Sequence, residues 1–159
     1  MVQTKIAMWW TWARIACHEL SGAMKARTNG APAWKFETES SASLSAEFEK
    51  SVTSIVAVAF ALEAMSEELK AAGHVLVTPP IQSGKNVSKG YYVGHRLVQA
   101  FGFQGNLVQS LPSDLDRLFT MRNDAVHFKS TWRSGVHPHP SGTDAAYEIT
   151  VYSMEEALR

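Results

Sequence analysis

The sequence has very little cysteine and no excess of charge of either sign. Of its 159 residues one is a cysteine, Cys17, and 15 Lys plus Arg balance 15 Asp plus Glu. One cysteine cannot form an internal disulfide, so a disulfide-stapled scaffold is excluded, and a lone thiol beside six Met is typical of a reducing compartment. The zero formal charge argues against a generally basic nucleic-acid-binding surface, although it leaves local basic patches open. We therefore expect a cytoplasmic protein.

Long hydrophobic runs are also absent. The apolar run from Ile6 to Trp12 is too short for the core of a signal peptide, and Arg14 interrupts its extension. No stretch approaches the roughly 20 apolar residues that a membrane helix needs. Hydrophobic residues nevertheless make up 45% of the chain, and a chain of this length buries roughly 70% of the surface that it exposes when unfolded. The sequence thus predicts one soluble domain, residues 1–159, without membrane contact.

Apolar residues recur at three- and four-residue steps in several segments, which is the pattern of amphipathic helices. Gly73 stands where a left-handed cap is expected after the longest helix, and Pro112 fits the first turn of the last one. The fold class that this predicts is all-α, an up-and-down bundle of four to five helices with a long loop over residues 74–90. The predicted helices cover residues 4–25, 43–72, 92–101 and 113–128, with a surface connection over 37–45.

The C-terminal segment is rich in proline and glycine. Gly135, Pro138, Pro140 and Gly142 predict an irregular segment without regular secondary structure. Further on, a Ser-x-x-Glu capping box over residues 153–156 starts a helix with three residues left in the sequence. We therefore expect the domain to be truncated at its C-terminus, as a piece of a longer chain.

Basic residues and tyrosines alternate between Gln82 and Gln99. This stretch contains Lys85, Lys89 and Arg96 but no acidic residue, and Tyr91 and Tyr92 lie among them. Basic side chains can follow the backbone of a single strand of nucleic acid, and aromatic rings can stack on its bases. We predict that the basic residues bind RNA together with Lys129; the alternative is an ordinary solvated surface.

One arginine lies inside the apolar stripe of the last predicted helix. At about 100° per residue, Arg122 falls near the middle of that stripe, while Asn123 and His127 lie together on its flank. A buried charge without a partner is very costly. Glu63 lies in the central apolar stripe of the long helix. We therefore predict that Arg122 and Glu63 meet across the two helices, with Glu63 supporting the guanidinium.

Arg122, Asn123 and His127 together have the chemistry that RNA cleavage without a metal requires. Arginine offers a planar fork for phosphate, and histidine exchanges protons near neutral pH. A ribose 2′-hydroxyl would attack the adjacent phosphorus and leave a 2′,3′-cyclic phosphate and a 5′-hydroxyl end. We predict that His127 is the general acid or base, that Arg122 stabilises the developing charge and that Asn123 assists. The alternative is that these residues are solvated or structural.

The same residues resemble a known motif. Arg122-Asn123-x-x-x-His127 is similar to the R-x(4–6)-H signature of HEPN domains, and Ser54–Leu69, with Glu63, resembles the long helix that commonly precedes it. The resemblance implies a helical bundle that forms a homodimer and brings two motifs together, with no cofactor. Many HEPN domains are metal-independent endoribonucleases of toxin–antitoxin, abortive-infection and CRISPR systems, whereas others only bind nucleotides, RNA or proteins. It also allows an antitoxin or a defence-system protein as a partner.

Other residues carry weaker signals. His137 and His139 could bind a metal together with His127, but the neighbouring prolines favour a turn, so we predict no metal site. Cys17 is expected in the core. A third functional alternative is a structural dimerisation domain whose contact consists of three tryptophans near the N-terminus, Trp9, Trp10 and Trp12.

Overall fold

Four helices make up nearly all of the structure, a computed structural model that describes residues 7–30, 37–74, 87–126, 136–138 and 144–146. The all-α prediction is confirmed. A two-stranded antiparallel hairpin accompanies the helices and pairs Val136 with Ala146 and Pro138 with Asp144. The helices are α1 (Met8–Gly30), α2 (Glu37–Ala71), α3 (Lys89–Phe101) and α4 (Leu107–Val126), and the strands are β1 (Val136–Pro138) and β2 (Asp144–Ala146).

The hairpin corrects the prediction that proline and glycine exclude regular structure after α4. Pro138 is the last residue of β1, and proline is tolerated at the end of an edge strand because no ladder hydrogen bond has to be donated there. The residues between and around the two strands lie outside the described residues. The capping box at residues 153–156 lies outside the described residues.

Glycines end α2 and α3 in the same way. Gly73 and Gly102 have positive φ angles of 88° and 64°. After each helix the glycine N–H donates to the carbonyl three residues back, and the next N–H donates to the carbonyl five residues before it. This is the Schellman arrangement, in which the left-handed residue is usually glycine. The predicted cap at Gly73 is therefore confirmed.

Three helices begin earlier than predicted, since α3 also starts at Lys89 and not at residue 92. α2 starts at Glu37, so the expected surface connection over 37–45 is helical, and α4 starts at Leu107 with Pro112 inside it. Leu44 and Glu47 are buried, and burial of this kind outweighs the weak helix propensity of a Ser-rich segment. Pro112 removes one backbone donor from α4 but is itself fully buried.

α1 buries small residues. Ala16 and Ala23 are buried, whereas Met24 is exposed. Cys17 is exposed, so its prediction as a core residue is wrong: it is the residue directly after the buried Ala16, and neighbouring residues on a helix face different directions. Trp10 is exposed as well.

The chain divides into two compact units, and the divisions fall within α1 and α2. One unit comprises Met1–Ala13 with Val58–His127, and the other comprises Arg14–Ala57 with Phe128–Arg159. That residues 1–159 form a single domain remains a prediction. In the described ranges, none of the helices is long and apolar enough to cross a membrane.

In the second unit polar contacts join antiparallel segments of α1 and α2. Ser54 Oγ donates to the Ala16 carbonyl at 3.0 Å, and Lys50 Nζ donates to Glu19 Oε2 at 3.1 Å. Hydrogen bonds from His18 and then from Lys50 lower the pKa of Glu19. Further along, Arg27 Nη1 lies 3.7 Å from Glu47 Oε1, and the Glu47 side chain is only 1% exposed. This buried pair is the most enclosed charged contact described in the unit.

In the first unit α3 and α4 pack closely as an antiparallel pair. Two glycines one turn apart make this approach possible: a Cβ on Gly90 would overlap the Leu115 carbonyl oxygen, and a Cβ on Gly94 would lie 2.5 Å from Pro112 Cα. Around them a hydrophobic core forms from buried residues of α2, α3 and α4: Ala59, Val93, Leu97, Leu115 and Phe119.

Replacing Gly94 by alanine is expected to destabilise the protein, because the new methyl group meets backbone that cannot rotate away. Overpacking of this kind costs about 1–3 kcal/mol. Gly22→Ala in α1 is the matched control, since its methyl group meets only the Lys50 side chain and alanine favours helix by about 1 kcal/mol. Urea unfolding should rank Gly22→Ala at or above the wild type and Gly94→Ala below it; equal stability of the two variants would contradict the close packing.

Candidate functional site

Arg122 lies in the last turns of α4 with its guanidinium between aromatic rings. Its Cζ is 5.5 Å from the Phe60 ring centroid and 5.1 Å from that of Phe119. The side chain is 15% exposed. An arginine over an aromatic face is stabilised by the ring quadrupole by about 0.5–2 kcal/mol, depending on how far it is desolvated. The rings therefore restrict the guanidinium to a defined position, and a small part of the side chain stays exposed.

Glu63 on α2 provides the anionic partner that the sequence analysis predicted for Arg122. Glu63 Oε2 lies 3.9 Å from Arg122 Nη2, and Glu63 Oε1 also accepts a hydrogen bond from Lys89 Nζ on α3. A separation of 3.9 Å is an ion pair but not a hydrogen bond. Glu63 thus contacts two cations on two other helices, and the group carries one surplus positive charge.

A second carboxylate on α2 is shared in the same way. Glu67, one turn after Glu63, lies 3.6 Å from Arg96 Nη1 and 3.5 Å from Lys70 Nζ. This group also has two cations around one anion. Each of the two carboxylates on this face of α2 is therefore neutralised by two cations.

Arg96 is corrected from a predicted RNA contact to a buried structural residue. The residue is 5% exposed, and its Nη1 donates to the Ser66 carbonyl at 3.0 Å and to Ser66 Oγ at 2.8 Å. A guanidinium enclosed in this way cannot reach a phosphate of a bound strand. The sequence could not reveal this, because burial of Arg96 depends on the polar Ser66 of another helix.

Lys89 remains accessible. Its side chain is 57% exposed although it contacts Glu63. It follows the N-cap Ser88, whose hydroxyl accepts a hydrogen bond from the Tyr91 backbone N–H. A lysine in the first turn of α3, beside a carboxylate that it shares with Arg122, can move to an incoming phosphate without leaving a buried position.

Asn123, the residue after Arg122, is exposed. On the same helix, Thr120 is exposed and its Oγ1 donates to the Asp116 carbonyl at 2.9 Å. The flank that the helical projection assigned to Asn123 therefore faces solvent. An amide there can donate to a phosphate oxygen without displacing a packed side chain.

Several predicted site residues lie outside the described residues. They are His127, Lys85, Lys129 and His139, and of His137 only the backbone, in β1, is described. Their roles stay predictions. Within residues 7–30, 37–74 and 87–126, no three His, Cys, Asp or Glu side chains cluster in a way that could hold a metal ion.

Sequence reasoning missed the aromatic and polar residues that hold the two arginines. Phe60 lies three residues before Glu63 on α2, and Phe119 three residues before Arg122 on α4. Both spacings bring the two side chains to one helix face, so the sequence pattern could have identified the two phenylalanines. Ser66, by contrast, carried no signal, because a serine inside a helix is usually a neutral surface residue.

Comparison with known proteins does not assign this arrangement. No protein-family model, curated protein or solved structure matches the chain. We therefore infer a function from the geometry of Arg122, Glu63 and Lys89 and from the sequence motif around them.

Proposed function

We propose that the protein is a metal-independent endoribonuclease. The observation that carries the proposal is the fixed position of Arg122, which two aromatic rings and Glu63 hold beside the exposed Asn123. Removing one oriented donor from developing oxyanion charge typically costs a factor of about 10²–10³ in rate. A guanidinium that is already oriented before the substrate binds suits this role.

The reaction needs one proton removed and one delivered. A base takes the proton of the 2′-hydroxyl, the oxygen attacks phosphorus, the bond from phosphorus to the 5′-oxygen breaks, and an acid protonates that oxygen. His127, five residues after Arg122, is the residue of the motif that can fill one of these roles near neutral pH. In the homodimer that the HEPN resemblance implies, His127 of a second copy supplies the other role.

The cellular role that we propose is that of a toxin or phage-defence effector, with an antitoxin or defence protein as partner. It rests on the HEPN resemblance alone. The competing function is a catalytically inactive HEPN-like module that binds nucleotide, RNA or protein through the same residues. One observation favours this alternative: Arg122 is largely covered and its charge is already paired with Glu63.

Cleavage of a generic RNA in excess EDTA tests the proposal. We expect fragments that end in a 2′,3′-cyclic phosphate and a 5′-hydroxyl, which phosphatase and kinase treatment of the ends identifies. Arg122→Ala is expected to lower the cleavage rate by about 10²–10³, and Arg122→Lys to restore only part of it because lysine lacks the planar fork.

Arg117→Ala, on the same helix with an exposed side chain, is the matched control and should cleave like the wild type. Glu63 keeps its contact with Lys89 when Arg122 is removed, so the variant is not left with an isolated carboxylate, and far-UV circular dichroism can verify its fold. Cleavage that is equal in Arg122→Ala and wild type would remove Arg122 from the mechanism, and a wild type that does not cleave would leave the inactive module as the better function.

A further inference from the structure

Tyr92 is an exposed aromatic residue directly above a fixed cation. Its ring centroid lies 5.0 Å from Arg96 Cζ, and the residue is 38% exposed. The guanidinium covers one side of the Tyr92 ring. A second flat group can therefore stack only on the exposed part of the ring. Arg96 is itself hydrogen-bonded to Ser66 on α2, so the guanidinium beneath the ring has a fixed position.

Lys89 places a positive charge one turn before this ring. Residues three apart on a helix have Cβ atoms about 5–6 Å from each other, and Lys89 contacts Glu63, which also contacts Arg122. An accessible ring next to an accessible cation is the combination with which proteins bind unpaired nucleotides: the cation neutralises the backbone and the ring stacks on the base.

We propose that Tyr92 stacks on an unpaired base of single-stranded RNA while Lys89 contacts its backbone. The inference rests on the proposed function and names the substrate class of that site. Arg96 is then a positioning residue for Tyr92. It acts on the strand through the ring that it supports and has no contact with RNA itself.

The neighbouring aromatic residues lack this combination. Tyr91 is half-buried and packs edge-on against His95 at 4.6 Å between ring centroids. Phe101 and Phe103 are exposed, but residues 97–113 contain no charged side chain. Only for Tyr92, among the aromatic residues described in α3, are an exposed ring and a nearby exposed lysine found together.

Fluorescence anisotropy with a labelled RNA tests the proposal when each 2′-hydroxyl is methylated, because such a strand binds but cannot be cleaved by 2′-hydroxyl attack. Loss of base–aromatic stacking corresponds to a dissociation constant about 5- to 150-fold larger. We expect this increase for Tyr92→Ala, and an unchanged value for Tyr92→Phe, which keeps the ring. Phe101→Ala is the matched control, since it removes an exposed ring from the opposite side of α3, and it should bind like the wild type.

Abasic substitutions separate stacking from a change in folding. One base at a time is removed from the oligonucleotide. When the missing base is the stacked one, the affinity of the wild type should fall by the same factor as in Tyr92→Ala. The affinity of Tyr92→Ala should not fall further with that oligonucleotide. Tyr92→Leu, which still covers Arg96, should bind as weakly as Tyr92→Ala. An RNA duplex, whose bases are unavailable, should bind equally to wild type and Tyr92→Ala.

Stacking and cleavage fail in distinguishable ways. If wild type does not bind the methylated strand, or if Tyr92→Ala binds it as wild type does, the stacking inference is overturned, whatever the cleavage assay shows. If binding depends on Tyr92 but unmodified RNA is not cleaved, the inference stands and the nuclease proposal is lost. A loss of affinity that is equal at every abasic position would also overturn the stacking inference, because one ring stacks on one base.

Discussion

Replacing His127 by alanine is expected to lower the rate of RNA cleavage by about 10²–10⁴, the usual contribution of a general acid or base. Arg122 offers an oriented guanidinium for the developing charge. His127 is the residue of the motif whose type of side chain exchanges protons near neutral pH. RNA binding should change far less than the rate, because the backbone charge is neutralised by arginine and lysine. The measurement is the single-turnover cleavage rate in EDTA, with the dissociation constant measured separately on methylated RNA.

Two controls test whether a loss of cleavage is specific to His127: substitution of another histidine and rescue by added imidazole. His74 is exposed after α2 and contributes to the helix end through its backbone N–H, so His74→Ala should cleave at the wild-type rate. Added imidazole should restore part of the activity of His127→Ala. Cleavage by His127→Ala at the wild-type rate would remove His127 from the mechanism.

Replacing Glu47 by alanine is expected to destabilise the protein by about 3–5 kcal/mol, the usual cost of removing one partner of a buried ion pair. Glu47 is 1% exposed and its Oε1 lies 3.7 Å from Nη1 of Arg27, which is itself mostly covered. The variant leaves the guanidinium without this counter-charge in a site that water hardly reaches. The loss would be a large fraction of the about 5–15 kcal/mol that stabilises a typical protein.

Urea unfolding followed by circular dichroism measures this loss. Glu49→Ala, two residues away on α2 and exposed, is the matched control, and a surface change of this kind should stay within about 0.5 kcal/mol of wild type. If Glu47→Ala and Glu49→Ala unfold at the same urea concentration, the Arg27–Glu47 pair does not stabilise the fold.

The sequence predicted which segments are helical better than it predicted the residue at which each helix begins. Periodicity and glycine caps located α1, α2, α3 and α4, and Gly73 ended α2 as expected. The first turns of α2 and α4 were missed because local composition there, Ser-rich in one case and next to Pro112 in the other, favours a loop. In α2 the buried Leu44 and Glu47 override that preference, whereas residues 107–110 of α4 are exposed and the buried residue there is Pro112 itself.

The candidate site could be predicted in part for a physical reason. Arg122 and Glu63 each break an apolar stripe, and two opposite charges in two packing faces favour contact, which the structure has. Arg96 gave no such signal, since the basic residues and tyrosines around it were equally compatible with an RNA-binding surface. Only the position of Ser66 and Glu67 on α2 shows that its charge is satisfied inside the protein.

The exposed Cys17 on α1 has a practical consequence. Because the chain contains one cysteine and its thiol is accessible, a nitroxide spin label can be attached at one defined site without any substitution. Two labelled copies in a homodimer would form a single pair of spins, so double electron–electron resonance would report self-association in solution as a distance distribution. A monomer would give no dipolar modulation beyond the background.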